Sequence, residues 1–219
     1  MADKNSVERQ EPREGIYASS RLERGFIVFT IAIASIGLGY LFFTQLWWKL
    51  PPEFGCRENF TRGGLCIFIE RSAADADAGD KLLKANIIES KSGPELSVPI
   101  GWATQLNATF IENIVQPNIR WFGYVIWGTE AFIFLSMCLG FFSRLGALVA
   151  LGMGTQLMIG LAHTSEEWEW SYILIVLLAF AMVGIAPGRY FGLDRLLRPR
   201  FKAMRERGSR VGRFLLLLT

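Results

Sequence analysis

Four long apolar stretches constrain the fold of this chain more than any other feature. They run over residues 25–48, 121–142, 145–162 and 170–186. Each is close in length to the roughly 17–25 residues that a helix needs to cross a bilayer. Because a lipid core offers no water to backbone N–H and C=O groups, a crossing segment is expected to be helical. The sequence therefore predicts an all-α membrane protein, a four-transmembrane-helix bundle with an external insertion between helices 1 and 2.

The alternation of polar and apolar segments divides the 219 residues into five parts. A cleavable signal peptide is not the favoured interpretation of the first block, since the polar leader is long and the block ends in the poor cleavage sequence LWWKLPP. The predicted parts are a leader (1–24), a first transmembrane helix (25–48), an external insertion (49–120), transmembrane helices 2–4 (121–187) and a basic tail (188–219).

Charge alternates between the two sides of this arrangement. The leader, the turn at Arg144 and the tail are rich in arginine, whereas residues 163–169 (HTSEEWE) are acidic. Lysine and arginine near membrane ends favour the cytoplasmic side. Both termini are therefore predicted to be cytoplasmic and the insertion to be outside.

The basic tail is the predicted contact with lipid or with a partner. Near an anionic membrane surface each basic residue contributes about 1 kcal/mol, and docking of a cytoplasmic partner is the alternative. No nucleic-acid partner is expected, because no basic patch with suitable spacing occurs outside the tail. The residues singled out are Arg195, Arg198, Arg200, Lys202 and Arg205.

Glu130 is the most informative single residue. It lies about 13 Å into the second apolar stretch, counted from Trp121, and so near mid-bilayer. A carboxyl group at that depth is costly and usually faces the interior of a bundle. Three functions are open: accepting a proton, hydrogen-bonding a quinone or other polar ligand, or pairing with a basic group. A protonated glutamate hydrogen-bonded to a neighbouring helix is the structural alternative.

His163, Trp127 and Gln156 complete the set of candidate site residues. His163 ends the third stretch and is a candidate proton donor, metal ligand or donor to a quinone carbonyl, against the plainer interpretation of a solvated or capping residue. Trp127 and Gln156 are candidate quinone contacts beside Glu130. A haem held by paired histidines is excluded, since the chain has one histidine.

The cysteines predict a disulfide rather than a metal site. Cys56 and Cys66 lie close together in the insertion, where an oxidising compartment favours a bond between them. No C-x-x-C pair is present and His163 is the only histidine, so no metal site is predicted. No haem is predicted either, and a haem or pigment held by His163 alone is the weaker alternative. Cys138 is expected to be a small packing residue.

Small residues predict where helices pack closely. Gly146, Ala150 and Gly154 recur every four residues and form a stripe on the third helix. Gly37 and Gly39 are expected to serve the same purpose on the first.

Three segments carry a resemblance to a known family. They are the first helix from Arg24-Gly25 to Lys49-Leu50, residues 130–148 with Glu130, Leu139-Gly140 and Arg144, and residues 184–197, GIAPGRYFGLDRLL. In these segments the chain resembles the DoxX family of small four-helix membrane proteins. Ser143 and the pair Phe191-Gly192 depart from the family pattern, and the external insertion is longer than in the shortest members. That length looks more like the branch related to DoxD, the membrane subunit of thiosulfate:quinone oxidoreductase.

The resemblance implies an integral subunit of a quinone-linked redox complex in a bacterial or archaeal cytoplasmic membrane, with quinone as the possible cofactor and other membrane subunits as partners. A non-catalytic accessory subunit of a larger respiratory or photosynthetic complex is the alternative, and a small transporter is a weaker one. Arg189 and Asp194, in the last of the similar segments, are expected to be structural, as a pair that could lock the tail against the turn at Arg144.

Overall fold

The structure is a computed structural model that describes residues 21–57, 63–74, 101–162 and 168–219. Every regular element in these ranges is helical, which confirms the predicted all-helical class. The helices are α1 (Arg21–Leu46), α2 (Gly64–Ala74), α3 (Gly101–Phe110), α4 (Ile119–Leu139), α5 (Ser143–Leu161), α6 (Glu169–Ile185), α7 (Leu193–Glu206) and α8 (Arg210–Leu218).

Two antiparallel helix pairs make the bundle. In the first pair, the Ser35 hydroxyl of α1 donates to the carbonyl oxygen of Met137 on α4 at 2.8 Å. In the second, Arg144 at the start of α5 donates through Nε to the carbonyl oxygen of Val183 near the end of α6, at 3.1 Å. A buried cluster between the pairs holds them together; it includes Leu38, Phe42, Ile133, Met137, Ala147, Ala150, Ala179 and Met182.

Close packing in the bundle depends on small residues. A side chain at Gly146 would collide with the Ser136 hydroxyl, and one at Gly154 would come within 3.0 Å of Ile175. Gly39 allows α1 to approach α4, where an added Cβ would lie 2.8 Å from the Cys138 sulfur. Gly37 has open space beside it and makes no such approach.

Within the described residues, three helical stretches are long and apolar enough to cross a membrane. They are Arg21–Lys49, Gly101–Leu139 and Ser143–Leu161. The apolar part of α6, Trp170–Ile185, is shorter. The count of four crossings therefore stays a prediction.

Residues 101–139 form one helical stretch in which α3 leads into α4 through a π-helical segment (Ile111–Val115) and a 3-10 turn (Gln116–Asn118). A straight helix of 39 residues would measure about 58 Å, almost twice the hydrocarbon thickness of a bilayer. Instead α3 lies against α2 and α5. We call α2 and α3 together the cover, and the end of the bundle under them the covered end.

The opposite end, here the basic end, is fastened by Asp194. This fully buried carboxylate accepts hydrogen bonds from the backbone N–H groups of Phe142 and Ser143, at 2.7 and 2.8 Å, and from the Ser143 hydroxyl at 2.7 Å. A carboxylate at a helix N-terminus also interacts favourably with the helix dipole. Asp194 thus ties α7 to the first turn of α5.

Three glycines let the backbone approach closely enough for this contact. Gly140 adopts a left-handed conformation (φ 61°), and an added Cβ would lie 2.6 Å from the Cα of Gly192 and 2.8 Å from that of Gly188. Gly140 also accepts a hydrogen bond from the backbone N–H of Asp194, at 2.8 Å.

Candidate functional site

A buried ion pair links the two helices α1 and α4. The Lys49 ammonium, in the 3-10 turn that follows α1, binds Oε1 of Glu130 at the middle of α4. Lys49 is 5 % exposed and Glu130 2 %. Lys49 also lies over the Trp48 ring, 4.6 Å from its centroid. Burying two charges is expensive, and breaking such a pair by removing one partner is strongly destabilising.

The pair faces an apolar cavity of about 420 Å³ under the cover. This volume lies within the range of about 300–1,000 Å³ that is typical of small-molecule sites. Both helix pairs and the cover contribute to the walls, so each of the described helices from α1 to α6 supplies lining residues. Its lining includes Phe42, Gln45, Phe68, Ile69, Ile111, Phe122, Glu130, Met153, Gln156, Tyr172 and Ile175.

A hydrogen-bond chain crosses from the bundle to the cover. Gln156 of α5 donates through Nε2 to Oδ1 of Asn107 on α3, and Asn107 donates through Nδ2 to the Ser72 hydroxyl of α2 at 3.0 Å. Gly160 permits the contact, because an added Cβ there would lie 2.1 Å from that hydroxyl oxygen. Gln156 and Ser72 also line the cavity. Gln156 and Ser72 thus add polar groups to a chamber whose lining is mostly apolar.

Two buried polar atoms on α4 have no hydrogen-bond partner among the described residues. They are Oε2 of Glu130 and Nε1 of Trp127, one turn apart. Glu130 lines the cavity, whereas Trp127 packs on the neighbouring apolar cluster around Phe54. Unsatisfied buried groups are rare and costly. Glu130 therefore has an acceptor oxygen that no described donor uses, and Trp127 is not among the residues that line the cavity.

The cover is joined to α1 by a disulfide. Cys56, in the segment after α1, is bonded to Cys66 of α2. Both cysteines are buried with Leu65 and Ile69, which also line the cavity. The bond thus holds α2 at the cavity wall.

The predicted tail residues lie on α7 and do not line the cavity. His163 falls outside the described residues. In the tail, Arg195, Arg200, Lys202 and Arg205 are exposed, whereas Arg198 donates to the carbonyl oxygen of Thr219 at 2.8 Å.

Three arginines converge at the basic end. Arg189 also binds the Thr219 carbonyl, and Arg144 donates to that of Leu217. Burial, and then the nearby charges of Arg198 and Arg144, lower the pKa of the Arg189 guanidinium below its ordinary value. The α7–α8 hairpin is therefore held against the bundle by arginine side chains.

Sequence reasoning missed Lys49, Asn107 and Ser72. The signal for Lys49 was indirect: a carboxylate at the depth of Glu130 needs a counter-charge, and Lys49 is the basic residue that ends the adjacent stretch. Asn107 lies among apolar residues that recur at near-helical spacing over residues 101–115, and this was the available signal. Nothing in the local sequence distinguishes Ser72.

These features define a class: a small helical membrane protein with an ion pair buried beside an apolar cavity. The sequence model of the family described as TQO small subunit DoxD matches residues 102–217, more than half of the chain. The chain belongs to the DoxD family, whose members are small membrane subunits of quinone-linked complexes. The wider DoxX assignment stays a prediction. No curated protein and no solved structure matches the chain.

Proposed function

We propose that this protein is the membrane subunit of a quinone-linked redox complex and that its cavity binds a quinone headgroup beside Lys49 and Glu130. The observation that carries the proposal is the ion pair at the wall of an apolar cavity. The family description supports thiosulfate as the electron source of the complex.

The residues fit such a ligand. An apolar chamber suits the ring and its substituents, and the Lys49 ammonium has donors beyond the one used by Glu130. Oε2 of Glu130 can accept a hydrogen bond from a hydroxyl group. A quinone accepts two electrons and two protons when it is reduced to a quinol. Lys49 would stabilise negative charge on a ligand oxygen, and Glu130 would hold or release a proton beside it.

The proposed topology has four crossings, with both termini and the tail on the cytoplasmic side. The helix α7 exposes basic residues together with Leu193 and Leu196. A helix surface that is both basic and apolar supports contact with anionic lipid headgroups. Under this arrangement the cover and the cavity lie at the outer face.

Replacement of Glu130 by glutamine tests the site. The purified chain in lipid nanodiscs is titrated with a decyl-tailed ubiquinone analogue. We expect Glu130→Gln to weaken binding about tenfold or more, since Lys49 loses the carboxylate that holds its ammonium, the donor to a quinone carbonyl, at the cavity wall. Glu112→Gln, at an exposed glutamate of the π-helical segment, is the matched control and should bind as the wild type does. Equal binding by both variants would show that the site is wrong.

The accessory alternative rests on a different observation. Trp102, Leu106, Phe110 and Ile114 recur every four residues and are 72 %, 64 %, 41 % and 46 % exposed. A partner subunit seated on this stripe would bury it, and in that case the chain stabilises a complex without handling quinone. Failure of the wild-type chain to bind the quinone analogue favours this second function.

A further inference from the structure

The cavity has two ends and two sides, and these are closed to different degrees. Towards the basic end it is closed, because Phe42 of α1 and Ala179 of α6 are buried together in the core cluster. Towards the covered end, Phe68 of α2 packs on Trp48 with 5.2 Å between ring centroids. The exits that remain are the two gaps between the helix pairs.

One of these gaps is filled. Between α4 and α5, Ile111 and Val115 of the π-helical segment line the cavity, and Asn107 of α3 is hydrogen-bonded to Gln156 of α5. Both apolar residues are buried. A ligand would have to displace α3 to enter from this side.

The other gap, between α1 and α6, is different. The two helices present Leu41 and Gln45 on one side and Ser171 and Ile175 on the other, and all four line the cavity. None of the four is buried, and Leu41 is 46 % exposed. We call this opening, bounded by Leu41, Gln45, Ser171 and Ile175, the α1–α6 gap.

A polar path leads inward from the gap. Trp48 donates through Nε1 to Oε1 of Gln45 at 3.1 Å. The Lys49 ammonium lies over the Trp48 ring in a cation–π contact. Gln45 therefore lies at the rim and Lys49 at the inner end. Leu41 and Ile175 provide apolar walls on either side of this path.

We propose that the α1–α6 gap is a lateral entrance from the bilayer, and that a ligand whose headgroup binds at Lys49 leaves its apolar chain in this gap. The inference rests on the proposed function and adds the route and the chain-binding groove. A lipid-soluble ligand is concentrated in the bilayer, so an opening at the level of the acyl chains gives it direct access. The preference for a chain-bearing over a chainless quinone is then set by residues 41 and 175.

Bulky substitutions in the gap test this route. Leu41→Trp on α1 and Ser171→Trp on α6 narrow the gap from opposite sides. Ile36→Trp and Leu174→Trp are the matched controls, since these residues are exposed on the same two helices and do not line the cavity. Binding to the full chain in nanodiscs is measured for the decyl-tailed ubiquinone analogue and for the tailless 2,3-dimethoxy-5-methyl-1,4-benzoquinone.

We expect both gap variants to bind the tailed ligand about tenfold or more weakly, because excluding two or three methylenes removes that much affinity. Their binding of the tailless ligand should stay within about twofold of wild type, and the controls should match the wild type for both. An unchanged affinity for the tailed ligand, or an equal loss of both ligands, overturns the entrance. If the wild type binds neither quinone, the proposed function itself fails.

Discussion

At the scale of single residues, the Asp194 carboxylate joins α7 to the Phe142–Ser143 turn and, through Ser143, to the turn at Gly188. It lies in the Gly-Arg-Tyr…Leu-Asp segment that resembles other family members, and it holds the Phe142–Ser143 turn. The Ser143 hydroxyl in turn accepts a hydrogen bond from the backbone N–H of Gly188 at 2.9 Å. The expected fastening of the tail is thus made through backbone groups and a serine hydroxyl.

Replacing Asp194 by asparagine should destabilise the protein. An asparagine offers a single acceptor oxygen to three donors and turns an NH₂ group towards them. Each buried donor that loses its partner costs about 1–3 kcal/mol, so we expect a total loss of about 2–4 kcal/mol. The measurement is thermal unfolding of the purified protein in detergent. Glu206→Gln, at an exposed acid of the same helix, is the control, and an Asp194→Asn protein as stable as this control would contradict the role.

The buried pair shows what sequence could and could not predict at this scale. Glu130 could be singled out because a carboxylate in the middle of an apolar stretch is costly wherever the neighbouring helices lie. Lys49 could not, because a lysine at the end of a transmembrane helix ordinarily extends to the headgroup region. Its inward direction depends on the pairing of α1 with α4, which brings together residues 81 positions apart.

At the scale of helices, the cover is the element whose position sequence left undecided. The near-helical spacing of apolar residues over 101–115 is typical of an amphipathic helix, which could lie on the membrane surface or cap the bundle. The structure places α3 against the bundle, and the contact with Gln156 that fixes it comes from a distant part of the chain. Periodicity identifies an apolar face, but it does not say which surface covers that face.

Loss of the disulfide should loosen the cover and leave the bundle intact. A disulfide that closes a short loop contributes about 2–4 kcal/mol to the free energy of unfolding. Because Cys66 lies within α2, the bond stabilises the position of that helix. In the Cys56→Ser, Cys66→Ser double variant we expect the amides of residues 64–74 to exchange hydrogen about tenfold faster or more. Exchange in α4 and α5 should be unchanged.

Hydrogen–deuterium exchange with mass spectrometry makes this comparison. Cys138→Ser is the control, because Cys138 is a free thiol on α4 far along the chain from the cover. Slow exchange in residues 64–74 of the double variant would mean that Ser72, Phe68 and the cavity contacts hold α2 without the bond.

At the scale of the whole molecule, the number of crossings decides where the chain ends lie. The helix α6 has 17 residues and is about 25 Å long, a little less than the hydrocarbon thickness of about 30 Å. It nevertheless lies antiparallel to α5 along its length, with residue 183 beside residue 144 and Ile175 beside Gly154. If α5 crosses the membrane, α6 is carried across with it, and the Trp168 and Pro187–Arg189 segments extend it at the two ends.

Four crossings place both termini on one side, whereas three would place them on opposite sides. Epitope tags are added at both ends of the chain and probed with protease in spheroplasts and in inverted membrane vesicles. We expect both tags to resist digestion in spheroplasts and to be removed together in inverted vesicles, because the arginine-rich segments flank the same membrane face. Digestion of a single tag in either preparation would indicate an odd number of crossings, and the cavity with its ion pair would then need a new position relative to the bilayer.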